Sequence, residues 1–276
     1  MEETIVAVPR GIPKVAEGHW IRNVHLRQLA GNDERLIAEL SAGLPPHRRI
    51  LALLERMAHF EEGNTGVLLR QLSIGDRAAL TLHARRLELG DSLDCTVVCI
   101  KCGKNMSVVL SAAKLLAAGH LEPRINYGID VDGFALLVRP LTSLDQDMLI
   151  VGMPEKGEIE EVLARSCIVH SDRLLPEKLP DELMDAIGSK LEEVDPLSEI
   201  TLHLSCAECS HKFDASFDIE DFVYREIEMS LGYLEYEVHW LALHYHWSES
   251  EILSLPVRRR KRYISLINST IAGEKT

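Results

Sequence analysis

Four of the six cysteines in this 276-residue chain stand in two short pairs, Cys99-Ile-Lys-Cys102-Gly103 and Cys206-Ala-Glu-Cys209-Ser210. Two intervening residues let both sulfurs of a pair reach one ion, and two such pairs supply the four thiolates of a closed, tetrahedral zinc site. The spacing inside each pair is ordinary, but Cys206 follows Cys99 by 107 residues, whereas a zinc ribbon closes within about 15–20. Buried free thiols, a disulfide within each pair, or two half-occupied sites are the alternatives at this level. The expected metal ligands are Cys99, Cys102, Cys206 and Cys209 around a structural Zn2+. Cys95 adds a rival pattern, because Cys95-x3-Cys99-x2-Cys102 is the spacing that holds an iron–sulfur cluster in radical enzymes using S-adenosylmethionine. That reading leaves the second pair unexplained. Cys95 shares a strand face with Leu93 and Val97 and behaves as a core hydrophobe, and Cys167, in Ser166-Cys-Ile-Val, reads as another buried thiol.

The residues that enter and leave each pair alternate apolar with polar. Residues 93–99 and 200–206 therefore read as strands, and residues 106–110 and 213–217 as their returns. Each pair then occupies the tip of a hairpin. The comparison extends outward at an offset of 107: residues 72–80 meet 179–187, helix starts with Ser73 and Pro180 near the cap, and residues 111–116 meet 218–223. Upstream the offset drifts, with residues 24–29 resembling 136–141 and residues 53–56 resembling 162–165. The fold expected is α+β and mainly helical, with two internally duplicated lobes, each carrying a Cys-x2-Cys-tipped β-hairpin, and a C-terminal helical tail. The divisions are an N-terminal arm over 1–17, a first lobe over 18–127, a second over 128–225 and the tail over 226–276. Each lobe is expected to run strand, three helices, hairpin, helix start. Two related halves explain the long interval, since each contributes one pair to a shared ion.

Beyond the second hairpin, residues 221–247 read as one long helical stretch with apolar positions at 223, 227, 231, 234, 238, 241 and 245. Ser248 and Glu251 form a capping box, and Pro256 suits the first turn of a last helix. In that helix Ile264 and Ile267 are expected to pack inward while Arg258, Arg259, Arg260, Lys261 and Arg262 stay in solvent. His239, His244 and His246 lack the spacing that aims two imidazoles at one ion, and His211 is surplus to the four sulfurs.

A composition of 46% hydrophobic and 26% charged residues excludes general disorder. Apolar runs reach about five residues, as at 50–54, against the roughly 20 needed to span a bilayer. The start Met1-Glu-Glu-Thr-Ile-Val lacks the apolar core of a secretory signal, so the protein is expected to be cytoplasmic, with reduced cysteines. A net charge of −13 opposes nucleic-acid binding at long range. No nucleophile elbow, phosphate loop, His-Glu-x2-His or dinucleotide fingerprint is present; no catalytic or cofactor-binding residue and no small-molecule substrate is assigned, and the expected protein is not an enzyme.

Together, residues 229–256 with the basic run 258–262, the segments Ile74-Gly-Asp-Arg and Leu87-Glu-Leu-Gly-Asp, and both cysteine pairs resemble a family encoded in phage-tail-like gene clusters. The family is similar to the baseplate hub assembly chaperones of contractile-tailed phages, with members in contractile injection systems, and the likeness covers about residues 10–270 in order. Such knuckles often carry proline where this chain has Ile100-Lys101, which leaves the ligands undisturbed. The resemblance implies a non-enzymatic assembly factor or structural baseplate component, with other baseplate or tail subunits as partners, bound either transiently during assembly or as part of the finished particle. The region around Trp247 and residues 258–262 is the candidate partner contact. A zinc-ribbon nucleic-acid-binding or regulatory protein is the alternative, and a hydrolase of unrecognised type comes third.

Overall fold

The computed structural model describes residues 3–41, 43–119, 122–152 and 158–273. Alternating burial along β1 (Glu3–Lys14) and β2 (His19–Arg27) turns Val8, Ile12, Ile21, Val24 and Leu26 inward from an antiparallel hairpin. After α1 (Gly31–Ser41) and α2 (Pro46–Met57), the short β3 (Ala58–His59) joins the free edge of β2. Then come α3 (Thr65–Gln71) and α4 (Ile74–Leu89), whose caps Asn64 and Ser73 accept the Val67 and Asp76 backbone N–H groups. The hairpin β4 (Ser92–Val98) and β5 (Asn105–Ser111) and helix α5 (Ala112–Ala118) close the first half.

The same order then returns. β6 (Tyr127–Val131) and β7 (Phe134–Val138) form a hairpin, α6 (Ser143–Gly152) and α7 (Ile159–Cys167) follow, and β8 (Ile168–Ser171) pairs with β7. Next stand α8 (Asp181–Val194), the hairpin β9 (Ile200–Ser205) and β10 (Lys212–Phe217), and α9 (Ile219–Leu231). Among the described residues, only α3 lacks a counterpart. Each half thus opens on a hairpin and a third strand, rather than the single strand expected. The duplication includes a side-chain clamp. Arg27 donates to both oxygens of Asp33 at 2.6 and 2.9 Å, and Arg139 to both oxygens of Asp145 at 2.8 and 2.7 Å. Each aspartate also accepts the backbone N–H three residues before it, from Ala30 and Thr142. Burial would raise both carboxyls, but these donors hold them below the ordinary carboxylate value.

The halves interlock. Helix α9, from the second half, buries Val223, Tyr224 and Ile227 in the same apolar core as Ile50, Leu53, Leu54 and Leu80 of the first. Two bidentate ion pairs fix it to α4: Arg77 to Glu220 at 2.6 and 2.7 Å, and Arg85 to Glu226 at 2.9 and 3.0 Å. The second sheet keeps a smaller core around Leu136, Val138, Cys167, Leu183 and Ile187. The boundary expected after residue 225 therefore falls inside α9.

The expected arm, residues 1–17, is strand β1 from residue 3. Its register with β2 shifts between Ala7 and Ile12, and the N–H groups of Arg10 and Gly11 turn onto the buried Asp76 at 2.8 and 2.7 Å. Gly11 sits at φ 84°, where an added Cβ would come within 2.4 Å of the Ile21 carbonyl oxygen. The Arg10 guanidinium continues the link to the second half through the Tyr127 hydroxyl and the carbonyls of Val194 and Arg124. Beside it, Asp195 accepts from the Ser73 hydroxyl at 3.0 Å and the Gly75 N–H at 2.9 Å. Burial, then the nearby charge of Asp76, pushes the Asp195 carboxyl up to about 7.

The expected long helix over 221–247 breaks at residues 232–233, giving α9 and then α10 (Leu234–Tyr245). The stripe divides accordingly: Val223 and Ile227 face the first core, whereas Leu241 joins Ile252 and Ile267 in a separate tail core. α11 (Glu249–Leu253) opens on the capping box of Ser248 and Glu251, and α12 (Val257–Gly273) ends the described chain. One expectation fails here. Arg260 is fully buried, donating to Glu34 of α1 at 2.6 Å and to Glu237 of α10 at 2.7 Å. Its position, four residues before Ile264 and seven before Ile267, puts it on the inward face of α12. Among the described residues, no helix is long and apolar enough to cross a membrane.

Removing Arg260 would leave two buried carboxylates without their shared cation. Arg260→Ala is therefore expected to cost about 3–5 kcal/mol in urea denaturation and to raise amide exchange first in α10–α12. Asp195 gives a pH prediction. Its carboxyl is protonated in the fold up to about pH 7 but ionised in the unfolded chain above its ordinary 3.8. Across that window the folded state holds the extra proton, so stability falls as pH rises through it. Asp195→Asn should flatten that part of the stability–pH curve; an unchanged slope would contradict the assignment.

Candidate metal centre

Each cysteine pair is shaped by its hairpin before any ion is considered. The β4–β5 ladder ends at Val98 opposite Asn105, leaving residues 99–104 to turn. There the Cys99 N–H donates to the Lys104 carbonyl and the Gly103 N–H to the Cys99 carbonyl, both at 2.9 Å. The second tip repeats this 107 residues on, with Cys206 N–H to His211 carbonyl and Ser210 N–H to Cys206 carbonyl, again at 2.9 Å. Gly103 and Ser210 both take left-handed backbone, at φ 68° and 57°. Glycine does so freely; serine does so at a cost of about 1–2 kcal/mol.

All six cysteines are free thiols, which sets aside the alternative of a disulfide in each pair. The four sulfurs of Cys99, Cys102, Cys206 and Cys209 lie within 4.8 Å of one another. Cys99 is 3.8 Å from Cys209, and Cys102 is 3.7 Å from Cys206. A tetrahedron with metal–sulfur bonds of 2.3 Å has edges of about 3.8 Å, so these separations fit a single ion at the centre. The two contacts are also reciprocal: Cys99 corresponds to Cys206 and Cys102 to Cys209, so the same contact is made in both directions, as in a twofold interface.

The surroundings suit thiolate ligands. Cys99 and Cys206 are buried beside Phe213, with Val97, Met106, Leu204 and Ala215 packed around them, while Cys102 is exposed and Cys209 half-buried. Backbone N–H groups of Cys102 and Lys101 bring the Cys99 thiol down to about 7. Cys102 receives the Lys104 N–H, yet desolvation and the three neighbouring sulfurs push its thiol up to about 12. A divalent ion relieves that crowding by replacing the protons. Four sulfurs complete a tetrahedral shell and leave no position for substrate or water.

The other sequence candidates lie elsewhere. Cys95 is in the first core and Cys167 in the second; burial raises both thiols, Cys167 to about 12. The His211 ring stacks on Phe213 at 6.2 Å, and its carbonyl serves the knuckle turn. His244 donates through Nδ1 to the Trp240 carbonyl at 2.9 Å, and His246 caps α10 in left-handed backbone. Trp247 packs on Tyr245 and Tyr263 at 4.8 and 5.0 Å within the tail core.

Sequence reasoning missed one arrangement. Glu17, His19 and Glu62 also present atoms close enough for one ion, but all three are exposed and the Lys14 ammonium lies 3.7 Å from Glu62. A cavity of about 550 Å³ between the two three-stranded sheets is lined by Ile12, Trp20, Leu144 and Val169. The Arg10 and Arg139 guanidiniums at its wall are already engaged within the protein. No protein-family model, curated protein or solved structure matches the chain.

Cys99→Ser and Cys206→Ser are each expected to lower bound metal well below one ion per chain when measured on reduced protein with a chromophoric chelator. Cys95→Ala and Cys167→Ala should keep the full metal content and lower folding stability by about 1–3 kcal/mol. Equal metal loss in both sets would mean that the quartet is not the site.

Proposed function

We propose that Cys99, Cys102, Cys206 and Cys209 hold one Zn2+ as a structural staple, and that the protein acts without catalysis. On this reading it is an assembly factor or structural baseplate component of a contractile, phage-tail-like injection system, residing in the cytoplasm before any incorporation into a particle. The observation that carries the structural part is the four-sulfur cluster drawn equally from two hairpins. A closed sulfur shell favours zinc and offers no coordination site for turnover.

The assembly role is supported by the resemblance of the cysteine pairs and the tail to baseplate hub assembly chaperones. A body whose halves interlock through α9 and whose tail is joined by Arg260 suits presenting fixed surfaces to other subunits. Within the candidate contact region, Arg258, Arg259, Lys261 and Arg262 are exposed, while Trp247 and Arg260 support the tail from inside.

Affinity isolation of the full chain from producing cells, followed by mass spectrometry, should recover tail or baseplate subunits, and the Cys206→Ser protein should recover fewer. Retention on nucleic acid that weakens steeply with salt, without tail subunits, would favour the zinc-ribbon nucleic-acid binder and overturn the assembly role.

A further inference from the structure

Where the tail packs on α1, charges of both signs stand outside any ion pair among the described residues. A groove of about 760 Å³ runs between α1, the α9–α10 junction and α11, with Leu234, Val238 and Leu253 as apolar floor. Its titratable members are the buried Glu34 together with Glu39, Glu235, Glu249, Arg35 and His239, so carboxylates outnumber cations. Glu34 is held from inside by Arg260 and Glu249 by Arg35 at 3.1 Å, whereas no ion pair engages Glu39 or Glu235 among the described residues. Met229, Tyr233 and Tyr236 stand exposed at 68%, 65% and 54% on and beside the same junction. Large exposed side chains of this kind are characteristic of the energetic centres of protein interfaces.

The complement is on α12. Arg259, Lys261 and Arg262 are exposed and form no ion pair among the described residues, although Lys261 lies near enough to Glu34 to act on its carboxyl. Arg260, between them, shows that carboxylates of α1 and α10 accept a guanidinium from this helix. A chain with net charge −13 repels its own copies at long range, so a cationic run retained in it is most useful where it meets a matching acidic surface.

We infer that the acidic groove between α1 and α10 is a self-association site, occupied by the exposed basic face of α12 from a second copy of this chain. Because groove and basic face belong to one protomer, two copies can satisfy each other reciprocally and close as a dimer. The contact differs from the zinc staple and does not depend on it.

Charge exchange tests this directly by sedimentation equilibrium of the full, metal-loaded chain. The wild-type protein should form dimers at low ionic strength that dissociate as salt is raised. Glu39→Arg with Glu235→Arg, and separately Arg259→Glu with Arg262→Glu, should each weaken self-association by about tenfold or more. All four positions are exposed, so circular dichroism melts should stay close to wild type. An equimolar mixture of the two variants should restore dimers containing one copy of each. A wild-type chain that stays monomeric, dimers indifferent to both reversals, or no rescue on mixing would overturn the inference. A monomer whose groove instead captures an added Arg-rich helical peptide would overturn it too, by assigning the groove to a different chain.

Discussion

The structure depends on four sulfurs converging from two hairpins that are 107 residues apart in the chain. Neither pair can complete a tetrahedral shell, so the geometry of each tip matters only if the halves are brought together with the right hand and register. Duplication supplies that. The same knuckle turn, the same left-handed fourth step and reciprocal sulfur contacts appear on both sides. Structural zinc sites carry apparent binding energies of about 10–16 kcal/mol in zinc-finger peptides, comparable with the whole stability of an ordinary domain. An ion bound with that strength across more than a hundred residues would constrain the relative placement of everything attached to the two hairpins.

The sulfur cluster is not the only link. Arg77 and Arg85 pair with carboxylates of α9 across the two halves, Arg260 pairs the tail with α1 and α10, and Arg10 reaches the end of α8 through the Val194 carbonyl. Such buried pairs contribute little by number but are costly to break, so they fix arrangement more than they add stability. They also mark where the two halves diverged. At the offset of 107, Arg77 and Arg85 of α4 correspond to Met184 and Glu192 of α8. α4 receives α9 and is buried over most of its surface, whereas α8 keeps Asp181, Glu182, Asp185, Glu192 and Glu193 in solvent.

Much of this was legible in the sequence, for identifiable reasons. Period-two patterning located both tipped hairpins to within a residue or so, because their strands bury one face. The capping box at Ser248 and the Ser73 cap were local signals that the fold honours. β1 was hidden because Pro9 and Gly11 interrupt its pattern where the strand bulges onto Asp76. The crossing of α9 into the first core leaves no local trace, since an apolar stripe does not say which core it faces. Arg260 hides in a run of five successive basic residues that look uniformly solvated, although helical spacing to Ile264 and Ile267 places one of them inward. The alignment of residues 24–29 with 136–141 already sets Arg27 against Arg139, but that each guanidinium turns back onto the aspartate six residues on is a contact that pattern alone does not carry.

The claim that everything else leans on is a single ion bound by sulfur from both halves. X-ray absorption at the zinc edge on purified, reduced protein tests it most directly. The predicted result is a shell of four sulfur scatterers at about 2.3 Å with no nitrogen or oxygen in the first shell. A mixed shell containing lighter atoms, or two sulfurs alone as expected for an isolated pair, would contradict it.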